Sequence, residues 1–269
     1  MRRPPPITPS AITRDLAALG VTEGDVLLVH TSLSALSGPG SMVVGGATGV
    51  VTALRRAVGP RGTLVAPTFS ADCSDPVEWT NPPVPEAWWP ALRDEMPGWR
   101  PDAWPSFRVG VVPELLRTLD GARRSLHPQT SFVALGPEAD AIVADHPLTD
   151  SLGPTGPLGH LRRLGARVLL LGCGFSSCTA FHLAEHESAR PPRRIERRAP
   201  LERDGARAWV RWTEPDYDSR RFPDIGRAFQ RERTCRRGEV GRARATLFEL
   251  AEGVAFAVRW MNGEVAREE

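Results

Sequence analysis

The sequence predicts an α/β fold: a mostly parallel central sheet flanked by helices, with an inserted Trp/Pro-rich acidic loop region. Three observations lead to it. First, the runs DVLLVH (25–30), GTLVAPTFS (62–70) and RVLLLGCG (167–174) are apolar without alternation, as in strands buried on both faces. Second, stretches of helical spacing separate these runs, giving the rhythm strand, loop, helix, strand. Third, a single long segment, 71–106, breaks that rhythm.

Taken in order, residues 1–10 form a Pro-rich arm, and 11–20 an amphipathic helix ending on Gly20. The strand at 25–30 is followed by a Ser/Gly loop, a helix near 47–58 and the strand at 62–70. Segment 71–106 then holds Trp79, Trp88, Trp89, Trp99 and Trp104. Its acids are Asp72, Asp75, Glu78, Glu86, Asp94, Glu95 and Asp102, against only Arg93 and Arg100. An irregular stretch of this length is functional or disordered, and its tryptophans argue against disorder. The rhythm resumes with a helix at 110–121, a strand at 131–136, a short helix at 137–145 and a Gly/Pro loop at 146–157. Next come a helix at 159–166, the strand at 167–174 and a helix at 178–189. Residues 190–211 are strongly basic, 207–212 alternate like an exposed strand, and 245–261 read as a final amphipathic helix. With no internal repeat, 11–269 reads as one domain carrying 71–106 as an irregular insertion.

Composition removes several function classes. All 34 basic residues are arginine. The absence of lysine excludes a lysine Schiff base, a P-loop lysine and a kinase strand lysine. A net charge of +2 argues against a general nucleic-acid binder. No apolar run approaches the ~20 residues of a membrane span. The N-terminus lacks the apolar core of a signal peptide. Cys73, Cys173, Cys178 and Cys235 are scattered with no CxxC, as expected of free thiols in a cytoplasmic protein.

In such sheets ligands sit at the carboxyl ends of strands. The loops 30–34, 66–75 and 172–182 are polar and distinctive there. GCGFSS is one glycine short of a dinucleotide fingerprint and reads as a tight strand-to-helix turn; neither a P-loop nor a GxSxG elbow occurs. His182 and Glu185 stand at i and i+3 and share one helix face. A carboxylate beside an imidazole fixes its tautomer and stabilises its protonated form, as a general base requires; the bland alternative is an incidental surface pair. The same stretch spells HxxEH at 182–186, a zinc-hydrolase motif that still lacks a third ligand. Cys178, expected at a helix start one turn before His182, is either a nucleophile or a packed cap residue.

The ordered segments VHTSLSAL (29–36), VVGGATGVVTAL (43–54), GTLVAPTFS (62–70), RRSLHPQTSFVALG (123–136), HPLTDSLGPTGPLGHL (146–161) and VLLLGCGFSSCTAFHLAE (168–185), with the terminal helix, make the chain resemble the aminoglycoside 3-N-acetyltransferases. This is an antibiotic acetyltransferase family separate from GNAT, whose acyl-CoA signature is absent here. The resemblance implies transfer of an acetyl group from acetyl-CoA to the 3-amine of a 2-deoxystreptamine aminoglycoside, conferring resistance, without a metal. It implies His182 as general base, Glu185 as its orienting acid, and Thr179 with nearby backbone N–H groups as oxyanion donors.

On the same basis coenzyme A is expected on Thr31, Ser32, Leu33 and Ser34, on Val44, Gly45 and Gly46, and on Arg124, Ser125, His127 and Ser131. Arg124 is the expected phosphate partner. The acceptor is a polycation, so acids and ring faces are expected around it: Asp72, Asp75, Trp79, Asp150, Asp216 and Asp218. The expected partners are these small molecules, with no nucleic acid and no membrane, in a cytoplasmic monomer or homodimer. A zinc hydrolase, or an acyl-CoA transferase acting on a non-antibiotic amine, is the alternative.

Overall fold

The computed structural model describes residues 4–232 and 235–265. Helix α1 (Pro9–Leu19) starts where the Thr8 side chain accepts the Ala11 N–H, and stops at Gly20, whose φ of 107° is the left-handed C-cap conformation. Strand β1 (Val26–Thr31) leads through the short α2 (Leu33–Ser37) to α3 (Gly46–Val58) and β2 (Thr63–Pro67). The insertion is built from short 3₁₀ turns and α4 (Trp89–Glu95). There follow α5 (Val111–Arg117), β3 (Arg123–Arg124), β4 (Phe132–Leu135), α6 (Ala139–Val143), α7 (Pro157–Arg163) and β5 (Arg167–Leu171). Then come α8 (His182–Glu187), a hairpin of β6 (Arg194–Arg203) and β7 (Ala206–Pro215), α9 (Phe222–Arg231), β8 (Arg236–Val240), β9 (Ala243–Glu249) and α10 (Leu250–Met261).

The main sheet runs β3-β4-β2-β1-β5-β9-β8. Its centre is parallel, as the buried runs predict: β1 lies between β2 and β5 and pairs parallel with both. The outer strands β4, β3, β9 and β8 join antiparallel. Alternate residues of β1 serve opposite faces. Leu27 and Val29 pack with α1, α3 and α5, whereas Leu28 packs with α7, α9 and α10. The sheet is therefore covered on both sides, and its strand ends are left to form sites.

Two expectations are corrected here. The final helix expected over 245–261 begins only at Leu250, because Ala243, Ala245 and Leu247 alternate inward and pair with β5 and β8 as β9. The helix expected over 178–189 is a 3₁₀ turn at 179–181 followed by α8, and Cys178 (φ −76°, ψ 84°) lies outside both. The basic stretch 190–211 turns out to be most of the β6–β7 hairpin. The insertion packs on that hairpin: Trp99 donates its N–H to the Pro200 carbonyl at 2.7 Å, and Cys73, Trp99, Ala199, Leu201 and Trp212 form a small core.

Candidate active site

Helix α8 places His182 and Glu185 one turn apart. His182 Nδ1 lies 2.6 Å from Glu185 Oε2, and both residues are 92% buried (8% relative exposure each). The other carboxylate oxygen, Oε1, accepts the backbone N–H of Asp218 at 2.9 Å, so the acid is held from two sides. With Nδ1–H directed at a carboxylate, Nε2 carries the lone pair. The ring is packed by Phe222 and Tyr217, with centroids at 4.8 and 5.1 Å.

The second histidine of HxxEH does something different. His186 Nδ1 faces Asp150 Oδ1 at 3.3 Å, and its Nε2 meets the Tyr217 hydroxyl at 2.9 Å. Each histidine thus has its own carboxylate, and the Tyr217 ring packs against both. Among the described residues no group of three or more His, Cys, Asp or Glu side chains gathers as a metal site. The thiol alternative fares no better. Cys178 is fully buried, and burial pushes its thiol up to about 12, far from a thiolate.

Two cavities open at the strand ends. The first, of about 810 Å³, lies between the end of β1 with α2 and the segment 108–113. Thr31, Ser32, Leu33 and Ser34, expected to meet coenzyme A, line it together with His30, Cys173 and Ser177. No carboxylate lines it, and the buried Thr31 hydroxyl has no partner. The second, of about 600 Å³, lies under the insertion and is lined by Asp72, Glu78, Glu214, Trp79 and Tyr217 among others. Phe69 and Arg108 line both, so the cavities adjoin there.

Several expected ligand residues are at neither wall. Arg124 is turned inward: it donates to the carbonyls of Thr68 (2.8 Å), Pro101 (3.1 Å) and Trp104 and to the Ser131 hydroxyl (2.9 Å), and lies over the Trp99 ring. Burial lowers its guanidinium to about 10. It fastens the insertion to the sheet rather than offering a phosphate site. Ser125, His127 and Ser131 are fully buried and held by protein partners: Ser131 by Thr68 and Arg124, Ser125 by Phe132 and His146, and His127 Nδ1 by the backbone N–H groups of Gln129 and Thr130; only Gln129 and Thr130 of that loop reach the wall. Val44, Gly45 and Gly46 form the start of α3, outside the first cavity's lining. Thr179 is buried with its hydroxyl 3.4 Å from His30 Nε2.

Of the residues expected around the acceptor, Asp72 and Trp79 line the second cavity. Asp72 keeps Oδ1 buried without a partner, and burial raises its carboxyl above the usual range. Asp75 does not line it: this fully buried side chain is clamped by Arg93 (2.8 Å) and Arg198 (2.7 Å) and caps a 3₁₀ turn. Burial acts against its charge, but the hydrogen bond from Arg93 and the arginine charges outweigh it and lower its pKa. Asp150 faces His186 and Thr155, Asp216 pairs with Arg193, and the Asp218 carboxylate caps a turn and pairs with Arg220. Glu78 and Glu214 take their place at the wall, both beside Arg197, at 2.7 and 3.5 Å. Arg108 and Tyr217 were not expected; Phe69 lies in the strand-end loop 66–75, and Gln129 and Thr130 within the stretch from Arg124 to Ser131 that the resemblance assigns to the cofactor. Tyr217 alone carried a signal, as the single tyrosine of the chain.

A family model for aminoglycoside 3-N-acetyltransferases matches residues 28–262. The chain is 43% identical over 258 residues to the SPbeta prophage-derived aminoglycoside N(3′)-acetyltransferase-like protein YokD of Bacillus subtilis, covering 95% of this chain and 92% of that one. It is 38% identical over 278 residues to aminoglycoside N(3)-acetyltransferase VII of Streptomyces paromomycinus, covering 98% and 94%. Among solved structures it resembles AAC-IIIb in a binary complex with CoASH (TM-score 0.84, 31% identity, 97% and 98% covered). It also resembles AAC-VIa bound to sisomicin (TM-score 0.85, 31% identity, 97% and 99% covered).

Proposed function

The chain belongs to the aminoglycoside 3-N-acetyltransferase family, and from that membership we propose that it moves the acetyl group of acetyl-CoA directly onto the 3-amine of a 2-deoxystreptamine aminoglycoside. Residues 11–269 act as one domain, with 71–106 as the insertion that roofs the acceptor site. The observation that carries this reading is the contrast between the two adjoining cavities. The first has no carboxylate and is lined by the hydroxyls of Thr31, Ser32, Ser34, Ser37 and Ser177, with Arg108 shared between the two cavities, which suits an anionic acyl donor with a long polar arm. The second has three carboxylates and a tryptophan face, which suits a ring bearing ammonium groups.

The chemistry assigned to the side chains follows. An ammonium must lose a proton before it attacks a thioester. His182 Nε2 takes that proton, and Glu185 stabilises the imidazolium and keeps the tautomer. The neutral amine nitrogen bonds the acetyl carbon, the carbon–sulfur bond breaks, the imidazolium gives its proton to the leaving thiolate, and the second proton that the nitrogen loses on becoming an amide goes to solvent. Negative charge on the thioester oxygen needs a donor. The unpartnered Thr31 hydroxyl, at the wall of the first cavity, serves better than Thr179, which is engaged with His30. Acetylation turns an ammonium into a neutral amide, which weakens the antibiotic's hold on an anionic target.

The test is thiol release from acetyl-CoA by EDTA-treated enzyme on addition of kanamycin or gentamicin, with the product's acetylated nitrogen located by NMR. Release with N-3 acetylation supports the proposal. A requirement for zinc would favour the hydrolase alternative, and release only with other amines would leave the donor chemistry and move the acceptor.

A further inference from the structure

We propose that Tyr217 is a positioning residue for acyl transfer: it fixes the His182 imidazole and is itself held by a second imidazole–carboxylate pair, His186 and Asp150. The proposal rests on the reading of His182 as the base. Residues 217 and 218 together clamp the dyad. The Tyr217 ring stands edge-on to His182 (centroids 5.1 Å apart, planes at 66°), and the next backbone N–H, that of Asp218, holds Glu185 at 2.9 Å. Phe222 closes the other contact at 4.8 Å, so the imidazole is bounded by two aromatic rings.

The hydroxyl of Tyr217 is anchored in turn. Its oxygen accepts the Leu152 N–H at 3.1 Å and it pairs with His186 Nε2 at 2.9 Å. The orientation follows from Asp150, 3.3 Å from His186 Nδ1. The Asp150 carboxylate beside Nδ1 favours the ring proton on that side, and burial lowers the His186 pKa, so Nε2 is left as an acceptor and the hydroxyl, whose oxygen already accepts from Leu152, donates to it. Asp150, His186 and Tyr217 are therefore joined by one carboxylate–imidazole contact and one hydrogen bond that share a direction. This linkage ends on the ring that both walls the acceptor cavity and touches the base. A general base displaced by about 1 Å loses on the order of 10²-fold in rate, which is the scale of effect such support protects.

The experiment compares Tyr217→Leu, His186→Ala and His186→Gln with the parent enzyme. Tyr217→Leu is expected to lower kcat about 10²-fold while the KM for acetyl-CoA stays within about twofold. His186→Ala should lower kcat about 10-fold, and His186→Gln, whose amide oxygen still accepts from the hydroxyl, should restore it to within about threefold of the parent. In a His182→Ala background the Tyr217 change should add nothing. A folded Tyr217→Leu enzyme with normal kcat and only a raised acceptor KM would make Tyr217 a cavity wall and overturn the proposal. If that variant does not fold, the ¹⁵N-histidine spectrum of the parent decides: His186 must carry its proton on Nδ1, and a proton on Nε2 overturns the linkage. A fully active His182→Ala enzyme would instead sink the general-base reading itself.

Discussion

His182 Nδ1 and Glu185 Oε2 stand 2.6 Å apart across one turn of a six-residue helix, and the carboxylate's second oxygen is tied to the backbone of Asp218. Glu185→Gln keeps the shape and removes the charge that stabilises the imidazolium. We expect kcat to fall at least ~10²-fold with little change in the KM for acetyl-CoA, because the lost interaction matters most in the transition state. Steady-state thiol release checks this, and an unchanged kcat would remove Glu185 from the mechanism.

Cys178 should be dispensable for chemistry. Its thiol is fully buried and pushed up to about 12, so essentially no thiolate exists at neutral pH. Cys178→Ala is expected to keep kcat within about twofold, and intact-mass spectra should show no acetyl-enzyme during turnover. A folded but inactive variant would contradict direct transfer.

Arg124 should matter for the fold and not for the cofactor. Its donors satisfy the carbonyls of Thr68, Pro101 and Trp104; Arg124→Met would remove the arginine donor from all three, leaving Thr68 only the Ser131 hydroxyl. We expect a loss of about 3 kcal/mol in urea unfolding, with the KM for acetyl-CoA within about twofold. A raised KM at unchanged stability would return Arg124 to the phosphate site.

Three histidines, His30 and His127 buried and His146 half-buried, set an acid sensitivity. Burial lowers His30 to about 3 and His146 to about 4, and moves His127 well down. Unfolded, each takes up a proton near pH 6.5, which the native state refuses. Falling pH therefore favours the unfolded chain from about 6.5 downward. The urea midpoint should be lower at pH 5 than at pH 7, and His146→Gln should make that slope shallower. A pH-independent midpoint across this range would show that these rings protonate in place.

The parts of the fold that could be read from sequence are those whose burial leaves a local mark. Strands β1, β2 and β5 are covered on both faces and appear as unbroken apolar runs. Helix α3 keeps helical spacing between two of them. β9 was hidden inside a helical reading because its strand character comes from pairing with β5 and β8, distant in sequence. The β6–β7 hairpin looked like a basic stretch because Arg194, Arg197, Arg198, Arg203, Arg207 and Arg211 are spread along its two strands, while its few buried residues meet the insertion, distant in sequence. In the site, His182 and Glu185 were legible from i, i+3 spacing on one helix. Arg124, His127 and Ser131 were misplaced because their burial comes from residues distant in sequence: Trp99 and Trp104 of the insertion over Arg124, Trp212 and His146 around His127, and Thr68 against Ser131. Tyr217 reaches His186 and Leu152 only through tertiary packing, which no spacing rule records.

The central claim is that His182 is the base for acetyl transfer from acetyl-CoA to an aminoglycoside amine. The direct measurement is kcat for thiol release with kanamycin, comparing His182→Ala with the parent at matched folding by circular dichroism. The account predicts a fall of ~10²–10⁴-fold with acetyl-CoA still bound. A His182→Ala enzyme turning over within about threefold of the parent would contradict it.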